Sequence, residues 1–135
     1  MQRCNKQCPA CPFIKEGKCI KTANSTWSIN THLNCESSNI IYMIECNIDR
    51  CKMRYIGESE RKLQKRFADH RGYVKNRILT QATGFHFNKP GHDISNMSIT
   101  AIEKVKKIDS NYRKERETYH IRKFNTYYRG LNRMP

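Results

Sequence analysis

Five side chains in this sequence have the chemistry that cleavage of a phosphodiester bond requires: Tyr42, Tyr55, Arg66, His70 and Glu117. A guanidinium can hold a phosphate through two parallel hydrogen bonds. A carboxylate can bind the Mg²⁺ or Mn²⁺ that polarises the phosphate and stabilises the leaving oxygen. A tyrosine accepts a proton from water only where nearby positive charge lowers its pKa from about 10. The residue types therefore indicate metal-dependent phosphoryl chemistry, provided that the fold brings them together.

The elements that would position these residues are predicted from local patterns. Ile40 to Cys46 and Met53 to Gly57 are β-rich runs typical of an antiparallel hairpin. Ser98 to Val105 is rich in β-branched residues and predicts a third strand. One helix is predicted to begin after Ser59, and a last helix runs from Ser110 to Phe124 with its first residue as the N-cap. The expected fold is α/β (α+β): a small, mostly antiparallel three-stranded sheet flanked by helices.

The first predicted helix has an apolar stripe formed by Leu63, Phe67 and Val74. Arg66 and His70 lie on the flank of this stripe, one turn apart, at the expected border between core and surface. The helix should therefore present a cation and an imidazole next to the tyrosines of the hairpin.

The chain has 135 residues, which is enough for one domain with a modest core. Its formal net charge is +14 and its pI is about 9.7, so its electrostatic field attracts polyanions. Nucleic acid is the expected partner, and an anionic membrane surface is the alternative. No apolar run approaches the roughly 20 residues that span a bilayer, and the N-terminus has no hydrophobic signal core. We therefore expect a soluble, intracellular protein without a membrane partner.

Two basic groups are candidates for contact with a nucleic-acid backbone. Arg61, Lys62 and Lys65 lie near the start of the first helix, and Arg113 belongs to a second group around the last helix. Such side chains bind phosphates without reading the base sequence. The alternative is a solvated surface that keeps the protein soluble, and the net charge argues against it.

Seven cysteines could suggest a disulfide scaffold. Their odd number, the lack of a signal segment and the nearby histidines favour metal binding by thiolates instead. Residues 1–38 contain five of these cysteines but few aliphatic side chains, so a metal ion or a cross-link must order this segment. We therefore treat residues 1–38 as a Cys-rich arm and residues 39–135 as the catalytic domain.

Within the arm, Cys8 and Cys11 are separated by two residues, a spacing that lets both thiolates bind one ion. Together with Cys4 and either Cys19 or Cys35, they could complete a tetrahedral zinc site. The alternative is a flexible leader with incidental thiols.

The order of these residues resembles the GIY-YIG endonuclease family. Ile40-Ile41-Tyr42 and Tyr55-Ile56-Gly57 resemble the two motifs that give the family its name. Later family positions are matched in order and spacing by Arg66, His70, Glu117 and Asn132. The match covers residues 39–132. One departure is Ile40, which stands where the first motif of the family has glycine, at a position that takes no part in the chemistry.

This resemblance implies a role for each matched residue. Tyr42 would be the general base, and Tyr55 would orient the water or the phosphate. Arg66 would hold the scissile phosphate, and His70 would assist proton transfer or the tyrosine.

The resemblance also implies that Glu117 binds the divalent metal and that Asn132 positions backbone or phosphate. Glu103, in the predicted third strand, is the alternative metal carboxylate. We favour Glu117 because it lies on an inward face of the last helix, fifteen residues before Asn132.

A closer resemblance is to the endonuclease domain of Penelope-like retroelements. In that group two cysteines lie between the tyrosine motifs and two histidines follow the helix, as Cys46, Cys51, His86 and His92 do here. Two thiolates and two imidazoles form a Cys₂His₂ set suited to structural zinc. The ion would connect the hairpin loop to the loop from Gly84 to Asp93. The alternative is that the two histidines bind DNA phosphate.

The sequence therefore predicts a metal-dependent DNA endonuclease with catalytic Mg²⁺ or Mn²⁺ and structural Zn²⁺. By the closer resemblance, it would nick target DNA for target-primed reverse transcription in the nucleus, with a fused or associated reverse transcriptase and its RNA as partners. One alternative is a stand-alone GIY-YIG nuclease of repair, recombination or intron homing. Another is a non-catalytic, zinc-stabilised nucleic-acid-binding module.

Overall fold

A computed structural model describes residues 1–22 and 24–132, which form a small α+β fold. Residues 133–135, the end of the predicted catalytic domain, lie outside the described residues. The strands are β1 (Cys19–Lys21), β2 (Thr26–Ser28), β3 (Ile40–Cys46), β4 (Arg54–Ser59) and β5 (Met97–Lys104). The helices are α1 (Leu63–Lys75), α2 (Ala82–His86), α3 (Ser110–Lys123) and α4 (Thr126–Arg129). None of these helices is long and apolar enough to cross a membrane.

A three-stranded antiparallel sheet in the order β4-β3-β5 forms the centre of the fold. All residues of β3 are buried, because this middle strand is packed on both faces. Tyr42 and Ile44 belong to one apolar cluster, while Ile41 and Met43 belong to the other. The predicted three-stranded antiparallel sheet is therefore confirmed.

The N-terminal arm packs into the same core as the central sheet. Two short strands that the sequence pattern did not indicate, β1 and β2, pair with each other in this segment. Ile14 forms a bridge with Ile99 on β5, and the N–H of Lys15 donates to the Ile99 carbonyl at 2.9 Å. Ala10 and Leu33 are buried in the cluster that also contains Tyr42. The arm thus covers the outer edge of β5 and contributes to the core beneath the candidate site.

The C-terminal segment covers the other edge of the sheet, along β4. The N–H of Leu131 donates to the carbonyl of Arg54 at 2.9 Å. The amide of Asn132 makes two hydrogen bonds to the backbone of Ile56: Oδ1 accepts from its N–H and Nδ2 donates to its carbonyl, both at 2.7 Å. Because unpaired edges invite pairing with other chains, these two segments protect the sheet.

The two long helices form where they were predicted. Leu63, Phe67 and Val74 are buried along α1, as the apolar stripe indicated. The N-cap of α3 is Asp109, whose carboxylate accepts two backbone N–H groups of the first turn, and not the predicted Ser110. Helix α3 packs against β4, which brings its inward face towards the tyrosines of the sheet.

Candidate active site and metal sites

Three of the predicted catalytic residues form one hydrogen-bonded group. Tyr42 on β3 is fully buried, and its Oη lies 2.7 Å from Nε2 of His70 on α1. Arg66, one turn earlier on α1, donates from Nε to the same Oη at 3.1 Å. A guanidinium can only donate, so the arrangement that pairs every buried proton has Tyr42 accept from Arg66 and donate to His70. His70 is itself buried, whereas the sequence placed it at the border of the core.

The protonation of this group differs from the sequence expectation. A tyrosine base was expected to need nearby positive charge that lowers its pKa; Arg66 does act in that direction on Tyr42, but burial and the neighbouring Tyr55 outweigh it and raise the pKa well above its usual value. Burial and the charge of Arg66 lower the pKa of His70 to about 3, so its imidazole is neutral at physiological pH. Tyr42 is therefore a neutral phenol hydrogen-bonded to a neutral imidazole.

Two further side chains contact this group, and the sequence pattern gave neither of them a role at the site. Oγ1 of Thr83 on α2 is buried and lies 2.8 Å from Nδ1 of His70. The hydroxyl of Tyr73 accepts from Nη1 of Arg66 at 3.4 Å, and its ring lies 5.5 Å from the His70 ring. Only the helical spacing of Tyr73 next to Arg66 and His70 hinted at its position, and nothing local indicated Thr83.

Tyr55 and Glu117 lie close to the same group. The ring of Tyr55 on β4 is 6.4 Å from that of Tyr42 and 5.5 Å from that of His70. The charge of Glu117 on α3 acts on both tyrosines, and the charge of Arg66 acts on Glu117. The five residues named first from the sequence thus come together from two helices, α1 and α3, and from the strand pair β3 and β4.

Burial, with the nearby charge of Glu58, raises the pKa of Glu117 to about 7. Glu103, the alternative metal carboxylate, is bound to two other side chains of the fold. It accepts from Arg116 at 2.7 and 2.8 Å and contacts Nε2 of the buried His120 at 2.8 Å. Burial opposes ionisation of Glu103, but the hydrogen bonds from His120 and Arg116 lower its pKa to about 2. Of these two carboxylates, Glu117 is the one without a salt bridge among the described residues.

The side chain of Asn132 makes no hydrogen bond to the group formed by Tyr42, His70 and Arg66. Its amide is used by the backbone of Ile56, next to Tyr55 in the edge strand. Of the two roles expected for Asn132, the contacts favour positioning of backbone over contact with phosphate.

Cys46, Cys51, His86 and His92 form a compact cluster in which the ligand atoms all lie within 4.8 Å of one another. Sγ of Cys51 is 3.4 Å from Nε2 of His86, close to the separation of about 3.5 Å expected for two ligands of a tetrahedral zinc ion. Nδ1 of His92 donates to the carbonyl of Pro90 at 3.3 Å, which leaves the buried Nε2 without a partner among the described residues. The cluster fits the predicted Cys₂His₂ zinc site.

A second cluster lies in the arm and consists of Cys4, Cys8, Cys11 and Cys35. Sγ of Cys11 is 3.6, 3.7 and 3.8 Å from the other three sulfur atoms, close to the edge of about 3.8 Å of a tetrahedral zinc–sulfur site. A backbone hydrogen bond at Cys8 helps to lower the pKa of Cys4 to about 6, which favours the thiolate. Cys19 is exposed on β1 and is not in the cluster, so Cys35 is the thiol that completes the set of four. All seven cysteines are free thiols, which agrees with metal binding over disulfides.

Both clusters connect to the helices around Tyr42: α1, which carries Arg66 and His70, and α2, which carries Thr83. The carbonyl of Cys35 accepts the N–H of Gln64 at 2.9 Å, and the carbonyl of Ser37 accepts the N–H of Leu63 at 2.8 Å, at the first turn of α1. His86 is the last residue of α2, the helix that also carries the Thr83 hydroxyl. A metal ion in either cluster would therefore help to position α1 or α2.

The predicted nucleic-acid contacts divide into two groups. Arg61, Lys62 and Lys65 are exposed at the start of α1, as expected for contact with phosphates, and Arg61 also pairs with Asp69. The structure contradicts the prediction for Arg113, which is buried. Its guanidinium is occupied within the fold, where it pairs with Glu58 and donates to Asn39 at 2.9 Å.

No family model, no curated protein and no solved structure matches this chain. The α+β fold contains a tyrosine–histidine–arginine group around the buried Tyr42, a nearby carboxylate with a raised pKa and two clusters that could bind zinc.

Proposed function

We propose that this chain is a metal-dependent DNA endonuclease of the GIY-YIG type. The observation that supports this most strongly is the buried relay, in which Arg66 donates to Tyr42 and Tyr42 lies 2.7 Å from an imidazole of lowered pKa, His70. A core tyrosine needs one hydrogen-bond partner, whereas this hydroxyl has a permanent cation on one side and a proton acceptor on the other. Glu117 adds a carboxylate whose pKa is affected by the charge of Arg66.

The proposed reaction begins when Arg66 binds the scissile phosphate. Arg66 contacts the buried Oη of Tyr42, so movement of the guanidinium onto the phosphate would open this hydroxyl to water. Tyr42 accepts a proton from the attacking water while it gives its own proton to Nε2 of His70. The hydroxide attacks phosphorus and the P–O3′ bond breaks. The 3′ oxygen takes a proton from solvent and His70 releases its extra proton to solvent, which leaves a 3′ hydroxyl, a 5′ phosphate and a neutral His70.

Glu117 is the residue that would hold the divalent ion. Unlike Glu58 and Glu103, each of which pairs with an arginine, Glu117 has no salt-bridge partner among the described residues. Burial is the main cause of its raised pKa, and a divalent ion would favour the ionised form of such a group. A bound Mg²⁺ or Mn²⁺ would polarise the phosphate and stabilise the leaving oxygen.

The charge of the chain supports a polyanionic substrate. The formal net charge is +14, and the exposed Lys62 and Lys65 lie at the start of α1, the helix that carries Arg66 and His70. Such contacts bind the DNA backbone irrespective of sequence, so affinity should fall steeply as salt is raised. The zinc clusters would stabilise the elements that carry the catalytic group and take no part in the reaction.

The test is nicking of supercoiled plasmid by zinc-loaded protein with Mg²⁺ or Mn²⁺. Nicking should vanish in Arg66→Ala and Glu117→Gln, while plasmid binding stays close to that of the wild-type protein. Glu115→Gln, which changes an exposed carboxylate on the same helix, should leave nicking intact. Binding without nicking by the wild-type protein would support the non-catalytic, zinc-stabilised module instead.

The biological setting is a separate proposal that follows from the Penelope-like resemblance. Target-primed reverse transcription needs a free 3′ hydroxyl at the nick, and the reaction above leaves one. Extension of the nicked strand by a DNA polymerase, without phosphatase treatment, tests this end chemistry. A strong preference for branched DNA over linear DNA would favour the stand-alone nuclease of repair or recombination, and sequence-specific cutting would favour intron homing.

A further inference from the structure

The hydroxyl of Thr83 contacts the nitrogen of His70 that Tyr42 does not use. Oγ1 of Thr83 is 2.8 Å from Nδ1, and Oη of Tyr42 is 2.7 Å from Nε2. All three side chains are buried, so water does not replace either contact. Thr83 therefore affects which of the two imidazole nitrogens carries the proton.

The direction of the hydrogen bonds follows from Arg66. Its Nε–H donates to Oη of Tyr42, so Tyr42 is free to donate its own proton to Nε2 of His70. Neutral His70 must then carry its proton on Nδ1, and Oγ1 of Thr83 accepts that proton at 2.8 Å. In this tautomer Nε2 has a free lone pair that faces Tyr42. With the other tautomer, Nε2–H and the Tyr42 proton would compete for the same space.

We propose that Thr83 is a positioning residue that keeps His70 in the Nδ1–H tautomer and so keeps Nε2 ready to accept the proton of Tyr42. The consequence for catalysis rests on the proposed function, but the tautomer itself does not. Thr83 acts through His70 and does not touch the substrate.

The position of Thr83 in turn depends on the Cys₂His₂ cluster. Helix α2 has five residues, too few to be stable on its own. Thr83 and His86 are one turn apart on it, and both are buried. Close packing also supports α2, since a side chain at Gly84 would overlap the backbone carbonyl of Ile78. A zinc ion bound by His86 would therefore hold the turn that presents Thr83 to His70, which would connect a structural metal site to the proton relay.

The test compares Thr83→Val, which keeps the shape but removes the hydroxyl, with Thr83→Ser, which keeps the hydroxyl. Nitrogen-15 NMR of His70 reads the tautomer directly. The wild-type protein and Thr83→Ser should show protonated Nδ1 and unprotonated Nε2, whereas Thr83→Val should lose that pattern. Thr80→Val, at an exposed position just before α2, is the matched control and should keep it. If Thr83→Val loses its folded spectrum, Thr83→Ala gives the same comparison.

In the nicking assay, Thr83→Val should lower kcat about ten- to hundredfold with DNA affinity unchanged, and Thr83→Ser should restore most of the rate. His86→Cys, which keeps a zinc ligand, should retain the His70 signal, and His86→Ala should change it together with loss of zinc. A His70 spectrum in Thr83→Val identical to that of the wild-type protein would overturn the inference. If neither the wild-type protein nor any variant nicks plasmid while the NMR changes occur as predicted, the proposed function is overturned. The role of Thr83 in setting the tautomer then still stands.

Discussion

The ring of Tyr42 lies against Gly57, the residue that pairs with it across β3 and β4. A Cβ at position 57 would overlap Cζ and Oη of Tyr42. The glycine of the second motif is therefore needed for space, because it lets the phenol lie over the neighbouring strand and reach His70.

Gly57→Ala should displace the Tyr42 ring and lower the free energy of unfolding by about 1–3 kcal/mol. Urea unfolding measures this loss, and the nicking rate should fall with it because Oη leaves the relay. Gly72→Ala is the matched control, since nothing lies within 4 Å of a Cβ at this helical position. It should stabilise the protein by about 0.5–1 kcal/mol. Equal unfolding curves for the two variants would contradict the close approach at Gly57.

Arg113 is predicted to stabilise the fold and not to bind DNA. Arg113→Met leaves the carboxylate of Glu58 and Oδ1 of Asn39 without the guanidinium that donates to them, so the free energy of unfolding should fall by about 3 kcal/mol. Lys114→Met, at the exposed neighbouring position, should be nearly neutral in urea unfolding. A folded Arg113→Met protein should bind plasmid as well as Lys114→Met does. A loss of affinity specific to Arg113→Met would restore the role that the sequence suggested.

The raised pKa of Glu117 predicts how stability depends on pH without Mg²⁺ or Mn²⁺. The folded state binds this proton more tightly than the unfolded state does, because the pKa is about 7 when folded and about 4.5 otherwise. Stability is therefore lost as pH rises from 4.5 through 7. Glu117→Gln removes the penalty and should stabilise the protein at pH 8 by up to about 3 kcal/mol, with no gain at pH 4. Thermal or urea unfolding at both pH values measures this.

The control for that measurement is Glu115→Gln, which changes an exposed carboxylate two positions earlier. It should give the same difference between pH 4 and pH 8 as the wild-type protein. A Glu117→Gln variant that is no more stable than the wild-type protein at pH 8 would show that this carboxyl group is solvated and not buried beside the tyrosines.

Zinc content distinguishes the two clusters. The wild-type chain should carry two zinc ions, and Cys35→Ser and Cys51→Ser should each carry one, because each variant loses one ligand of a different tetrahedral set. Cys19→Ser, which changes the exposed thiol outside both clusters, should keep two ions. Metal analysis of purified, refolded protein gives these numbers. A wild-type chain without zinc, or loss of an ion in Cys19→Ser, would contradict the assignment.

The parts of the fold that could be predicted are those with a strong local pattern. The run from Ile40 to Cys46 is apolar except for Tyr42 and Glu45 and is bounded by polar residues, so its strand was evident. The stripe of α1 and the types of the metal ligands were equally local signals. By contrast, β1 and β2 are three residues each, mostly exposed, and too short for a pattern to emerge.

The parts that could not be predicted depend on partners far away in the sequence. Arg113 shares the inward face of its helix with Glu117, but its partner Glu58 lies fifty-five residues earlier, so its role within the fold could not be read from the helix alone. Thr83 has no local mark of function, because its role depends on a histidine of another helix. Asp109 displaced Ser110 as the cap by one residue, an ordinary uncertainty at a helix end.

The proposed cleavage chemistry depends most on the hydroxyl of Tyr42. Its most direct test is the single-turnover nicking rate of Tyr42→Phe on supercoiled plasmid with Mn²⁺. The rate should fall by about a hundredfold or more, while zinc content and plasmid affinity match those of the wild-type protein. Tyr127→Phe, which changes an exposed phenol, should nick at the wild-type rate. A Tyr42→Phe protein that nicks as fast as Tyr127→Phe would contradict the proposed chemistry.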